Sequence, residues 1–214
     1  MNSPATITAL LETTPRLWQG SAATCRQPTQ ASGHDRLDER LPGGGWPIGA
    51  TTELITARAG LGELRLLLPA LAAMSHDGQW LVLVDPPWIP YPDTLHRHGI
   101  GLDHLLLVRT DSTEESLWAC EQALLHGCGG AVLAWPKQVR FARMRRLQLA
   151  AETGNKLAFM FRPQDALNTA SPSALRLHLQ TGECGTRIDI LKCRGPRCSE
   201  PAWIPHPWPD LHIA

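Results

Sequence analysis

The chain has 214 residues, 43% hydrophobic and 19% charged, with twenty basic and twenty acidic side chains that cancel. That length carries one sizeable α/β domain, alone or with tails, and the balance of charge excludes a global field that would draw in a polyanion. No run of about 18 apolar residues is present to span a bilayer, and the opening MNSPATITALLETTPRLW lacks the basic start and long apolar core of a secretory signal. A cytosolic protein with no membrane contact is expected.

Residues 1–31 read as a lead segment. ITALLE (7–12) has the pattern of a short amphipathic helix, Pro15 stops it, and the polar SAATCRQPTQAS is linker-like. From Ser32 the character changes, and residues 32–194 read as the folded domain. Leu37 and Leu41 lie one helical turn apart, a Gly/Pro turn follows, and TTELI is a strand. Apolar runs then recur at 80–85 (WLVLVD), 104–109 (HLLLVR), 131–135 (AVLAW) and 157–161 (LAFMF). Each is nearly continuous, as in strands buried on both faces of a parallel sheet.

Helical patterns separate these runs. Ser112 and Glu115 form a capping box at the start of SLWACEQALLHG. Gly127 and Gly154 are read as left-handed C-caps of their helices. Alternation of strand and helix predicts an α/β fold, a mostly parallel sheet with flanking helices. ALRLHLQ and RIDILKC, joined by TGECG, predict a C-terminal antiparallel hairpin that extends it. Residues 195–214 hold five prolines and two tryptophans in twenty residues, and read as an extended, flexible tail.

The stretch TTELITARAGLGELRLLLPALAAM (51–74) passes from a strand through a Gly-containing turn into an apolar helix, the layout of a phosphate-binding loop. A working loop adds a lysine for the phosphates and a hydroxyl for Mg²⁺. Gly60 and Gly62 remain, but Glu63 and Leu64 follow. A carboxylate there repels a triphosphate, since like charges about 4 Å apart cost several kcal/mol in a half-buried site. Pro69, in the second turn, is expected to loosen or kink the helix.

The run SGHDRLDERLPGGGWPIGATTEL followed by this loop resembles the start of a RecA-type core, over roughly residues 33–191. RecA-type ATPases carry a Glu that activates water after the next strand, and a metal-binding Asp at a later one. Here Pro87 (in Asp85-Pro86-Pro87) and Trp135 stand at those places. The resemblance therefore implies a RecA-like fold that does not hydrolyse ATP and uses no cofactor and no metal. Within RecA relatives, LPGGGWPIGATTELI, GLGELRLLLPAL, VLVDPPWIPY, RRLQLAAE and FMFRP resemble the ImuA family. The middle, about 64–162, is also similar to SulA, the cell-division inhibitor that binds FtsZ. SulA-like chains are shorter and lack the SGHDRLDERLPGGGWP lead-in and the tail, which favours ImuA.

The ImuA resemblance implies a non-catalytic accessory protein of SOS-induced, error-prone translesion DNA synthesis. Its implied partners are ImuB, RecA and the error-prone polymerase. The alternative is a SulA-type inhibitor that blocks FtsZ polymerisation, and a second is an atypical ATPase using other residues.

Contact residues stay open between readings. Lys137, Arg140, Arg143 and Arg146 recur every three residues, as a DNA-backbone or acidic-partner contact, or as the solvated face of an amphipathic helix. Trp88 and Tyr91 follow a strand's C-terminal end, where ligands approach open α/β sheets; they suit a partner anchor or a plug for the vacated crevice. Trp135 reads as core or crevice filler. The six cysteines lack the tight pairs of a zinc site, and read as free cytosolic thiols.

Overall fold

The computed structural model describes residues 27–57, 63–127, 129–195 and 200–205. The lead helix expected at 7–12, Gly60 and Gly62 lie outside these. A small ribbon pairs β1 (Thr29–Gln30) with β2 (Trp46–Pro47), and α1 (Asp35–Asp38) lies between them. The main sheet then assembles from β3 (Ala50–Thr56), β4 (Leu81–Val84), β5 (Leu105–Val108), β6 (Ala131–Ala134), β7 (Leu157–Pro163), β8 (Leu175–Thr181), β9 (Gly185–Lys192) and β10 (Ala202–Pro205). The helices are α2 (Leu68–His76), α3 (Pro92–Arg97), α4 (Thr113–His126) and α5 (Phe141–Gly154).

The strands run in the order β10-β9-β8-β3-β7-β6-β4-β5. From β8 to β5 every pairing is parallel, and β9 runs antiparallel to both β8 and β10. This is the α/β architecture expected: a mostly parallel sheet, flanking helices and a C-terminal hairpin.

The apolar runs are continuous because the sheet is covered on both sides. Side chains alternate across the pleat. Leu157, Phe159 and Phe161 enter one core with Leu37, Trp46 and Leu71. Ala158 and Met160 enter the other with Leu124, Met144 and Leu147 of α4 and α5. Phe159 is fully buried and meets the edge of Trp46 at a centroid distance of 5.3 Å. Burying such a side chain contributes roughly 1.5–3 kcal/mol. β5 departs from the expectation of two-sided burial. It closes the sheet, and its Leu106 and Leu107 remain exposed, because an edge strand has a neighbour on one side only.

Local signals hold in part. Ser112 caps α4 by accepting from the Glu115 N–H at 3.2 Å, while the Glu115 carboxylate returns to the Asp111 N–H at 3.1 Å rather than to Ser112. Neither glycine is a left-handed cap. Gly127 sits at φ −68°, and Gly154 is the last residue of α5, with Asn155 taking the left-handed conformation at φ 51°. Gly154 serves packing instead: a Cβ there would lie 1.9 Å from the Leu124 carbonyl oxygen of α4. Pro69 does not kink a helix either. Glu63–Leu66 forms a 3-10 turn, and Pro69 falls in the first turn of α2, where its missing N–H costs nothing.

Part of the stretch expected as a flexible tail is ordered. Ala202–Pro205 pairs with β9 in register Ala202↔Ile188 to Pro205↔Gly185. Two forces recruit it: β9 otherwise offers an unpaired edge, and Ala202 is buried. Arg40 bonds Glu200 at 2.6 Å just before it.

Candidate functional site

The C-terminal ends of β3, β4, β6 and β7 open onto one crest. A cavity of about 630 Å³ lies there, lined among others by Thr56, Pro87, Trp135, Lys137, Phe161 and Arg162. Parallel strands direct their ends to a common edge, which is where open α/β sheets meet ligands.

The wall is aromatic. Trp135 stacks on Phe161 with centroids 4.4 Å apart and planes 6° from parallel. Its indole N–H is buried without a hydrogen-bond partner among the described residues. Trp135 thus forms part of the cavity wall. On the β4 side, Asp85 has a positive φ of 49°. Its carboxylate accepts from the Thr110 N–H at 2.8 Å and hydroxyl at 2.6 Å. Arg109 donates to the Pro86 carbonyl at 2.6 Å. These bonds fix the turn that carries Pro87 into the cavity wall. Beyond it Trp88 is 72% and Tyr91 65% exposed, with Ile89 between them also open. They stand on the surface and do not plug the crevice.

Below the crest lies a charge cluster that sequence reasoning missed. Glu53, 1% exposed in the middle of β3, accepts from the Ser173 hydroxyl at 2.7 Å and from Ser171. Arg176 approaches its other oxygen at 3.4 Å and donates to the Ala166 carbonyl at 2.6 Å. Lys192 donates to the Ser171 carbonyl at 2.7 Å. Arg162, on β7, feels both Glu53 and Arg176; burial lowers its affinity for its proton, and Arg176 adds to that while Glu53 opposes it. Lys192 is shifted downward chiefly by burial, with Arg176 and Arg194 adding to it. One charged residue in the apolar run TTELIT, and one in FMFRP, were the available signals. Their convergence depends on β3–β7 and β3–β8 register, which spacing along the chain does not reveal.

The basic stripe is placed elsewhere. Lys137 is exposed at the cavity mouth, and Arg140 is the N-cap residue of α5. Arg143 pairs with Glu114, and Arg146 reaches both Glu121 oxygens at 2.8 Å. Both acidic partners belong to α4, so these two arginines stitch the helices together. Glu63 is buried and lines a second cavity, of about 700 Å³, between α1, α2 and the hairpin.

Fold and crest together define an α/β protein whose strand ends open onto a cavity walled by Pro87, Trp135 and Phe161, with Arg162 and Lys137 beside them. The family model described as Cell division inhibitor SulA matches residues 50–158, from β3 into β7, and the chain belongs to this family. It is 33% identical over 128 residues to the Cell division inhibitor SulA of Photorhabdus laumondii, covering 60% of this chain and 66% of that relative. It is 29% identical over 116 residues to those of Yersinia pestis and Yersinia pseudotuberculosis, covering 53% of this chain and 69% of each. The chain thus spans about two thirds of the length of these relatives.

These matches overturn the translesion-synthesis reading and its partners ImuB, RecA and the error-prone polymerase. That preference rested on the lead-in before residue 50 and on the segment beyond the hairpin. Both lie outside the matched core, and the core itself carries the SulA signal.

Proposed function

We propose that this chain is a SulA-type cell division inhibitor that binds FtsZ and blocks its polymerisation. The observation that carries the reading is the family match over residues 50–158, which includes the β3, β4 and β6 ends of the crest. The crest suits a binding role. Trp88, Ile89 and Tyr91 project from it, and exposed aromatics of this kind dominate the energetics of protein interfaces. The action is one of occupancy, without turnover of a substrate.

GTP-driven assembly of purified FtsZ, followed by light scattering, tests this. Addition of the chain is expected to suppress assembly in proportion to its molar ratio to FtsZ, with the effect saturating near equivalence. Undiminished assembly with the chain in excess overturns the reading. Full suppression by a small catalytic fraction would exclude an occupancy mechanism.

A further inference from the structure

Arg162 is only 7% exposed, and its Nε has no hydrogen-bond partner among the described residues. The carboxylate nearest in influence, Glu53, is already engaged by Ser171, Ser173 and Arg176. Arg162, Arg176 and Lys192 all feel this one carboxylate, so the cluster holds more positive charge than it neutralises. Removing a guanidinium from water without a matched anion is costly. An anion from outside the chain would satisfy such a group through charge-assisted hydrogen bonds.

The cavity beside Arg162 has the complementary form. Its wall is the Trp135–Phe161 stack, whose indole N–H has no partner among the described residues. Two exposed charges, Lys137 and Asp165, line it with Arg162, and their sum leaves one positive charge. Just outside, Pro87 leads to the exposed Trp88, Ile89 and Tyr91.

We infer that the crest cavity receives a single carboxylate side chain carried on an apolar segment of a partner protein. The carboxylate pairs with the Arg162 guanidinium, while the apolar flanks cover Trp135 and the Trp88–Tyr91 surface. A polyphosphate is disfavoured, because Asp165 faces any second negative charge. This inference rests on the proposed FtsZ partnership for the identity of the partner, and on the crest alone for its chemistry.

Two measurements separate those levels. The first is the affinity of the chain for FtsZ, compared with Arg162→Met and Arg162→Lys. Arg162→Met is expected to weaken binding at least tenfold while keeping its unfolding temperature. Arg162→Lys is expected to recover part of the loss. The second follows the Trp135 indole N–H by NMR, assigned with Trp135→Phe, while N-acetyl-Leu-Glu-Leu-amide is added to the chain alone. A saturable shift is expected in the wild type, and none in Arg162→Met or with N-acetyl-Leu-Gln-Leu-amide in its place. If the wild type binds FtsZ and Arg162→Met binds within twofold, the crest inference fails and the FtsZ reading stands. If FtsZ is not bound and the peptide shift is present, the partnership fails and the crest inference stands. Absence of both FtsZ binding and peptide shift overturns both.

Discussion

Gln148 reaches from α5 to close the start of β3. Its Oε1 accepts from the Thr51 N–H at 3.0 Å and from the Thr51 hydroxyl at 2.6 Å, with no exposure to solvent. β8 joins β3 only from the pair Thr52↔Leu175 onward, so a side chain supplies the acceptor that a strand has not yet provided. Gln148→Leu leaves the Thr51 N–H buried and unpaired, although its hydroxyl keeps Ser173 at 3.0 Å. The expected loss is about 2–3 kcal/mol in urea unfolding. Gln148→Glu is expected to cost more at neutral pH, since a second carboxylate would face Glu152 at the present 3.0 Å contact. An unchanged urea midpoint for Gln148→Leu would show the Thr51 amide to be otherwise satisfied.

Gly154 and Asn155 divide a task that the sequence assigns to one glycine. Asn155 supplies the left-handed turn at φ 51°, and Gly154 supplies the space for the Leu124 carbonyl. Asn155→Gly is therefore expected to be nearly neutral. Asn155→Ala is expected to cost about 1 kcal/mol, the usual penalty of that backbone region for a residue with a Cβ. Gly154→Ala should cost more than either, about 2 kcal/mol or above, because it overpacks the α4–α5 contact against backbone. Thermal unfolding of the three variants gives the ranking; equal effects at 154 and 155 would contradict this division.

These two sites show where the sequence was readable. The order of strands and helices, the hairpin and the Ser112 cap follow from patterns within a few residues, where local sterics and hydrogen bonds decide. Gly154 looked like a cap because a glycine after an apolar helix has two uses, and only the approach of α4 distinguishes them. Pro69 was misplaced for a similar reason: the helix start depends on how Glu63–Leu66 turns. Trp135 was legible as a filler of core or crevice, and it stands in the cavity wall against Phe161. Arg162 was not legible as part of a site, since Glu53 on β3 lies far away in sequence and only the β3–β7 and β3–β8 register brings it and Arg176 alongside. Family membership was readable from residues 64–162, and the flanks drew the reading to the wrong relative.

Cys120 offers a chemical test of the α4–sheet core. It is fully buried, and burial, aided by the negative charge of Asp85, pushes its thiol up from 9.0 to about 12. The unfolded chain releases this proton first, near its ordinary value. Between those pH values the folded state binds more protons, so stability falls as pH rises through that window. A variant retaining Cys120 as its sole cysteine should resist a thiol reagent at pH 8 while folded, and react fully in denaturant. Prompt labelling of the native protein would show that α4 opens readily. Cys184, exposed on the hairpin turn, is the positive control when restored alone.

The cluster around Glu53 predicts opposite outcomes for charges of opposite sign. Glu53 is the buried carboxylate shared by Arg162, Arg176 and Lys192. Glu53→Gln keeps the shape and an acceptor for Ser173, but leaves the cations uncompensated. Breaking a buried pair from one side in this way costs about 3–5 kcal/mol. Arg162→Met removes a cation that Glu53 does not contact closely, relieves its repulsion with Arg176, and leaves apolar volume in place. Its stability is expected to equal or exceed that of the wild type. In Glu53→Gln, adding Arg162→Met should then recover part of the loss, a coupling that a double-mutant cycle measures directly. Urea titration of the four proteins decides it. If Arg162→Met is as damaging as Glu53→Gln, Arg162 holds the fold together; if it is harmless and the losses couple, the cation is kept for something outside the chain.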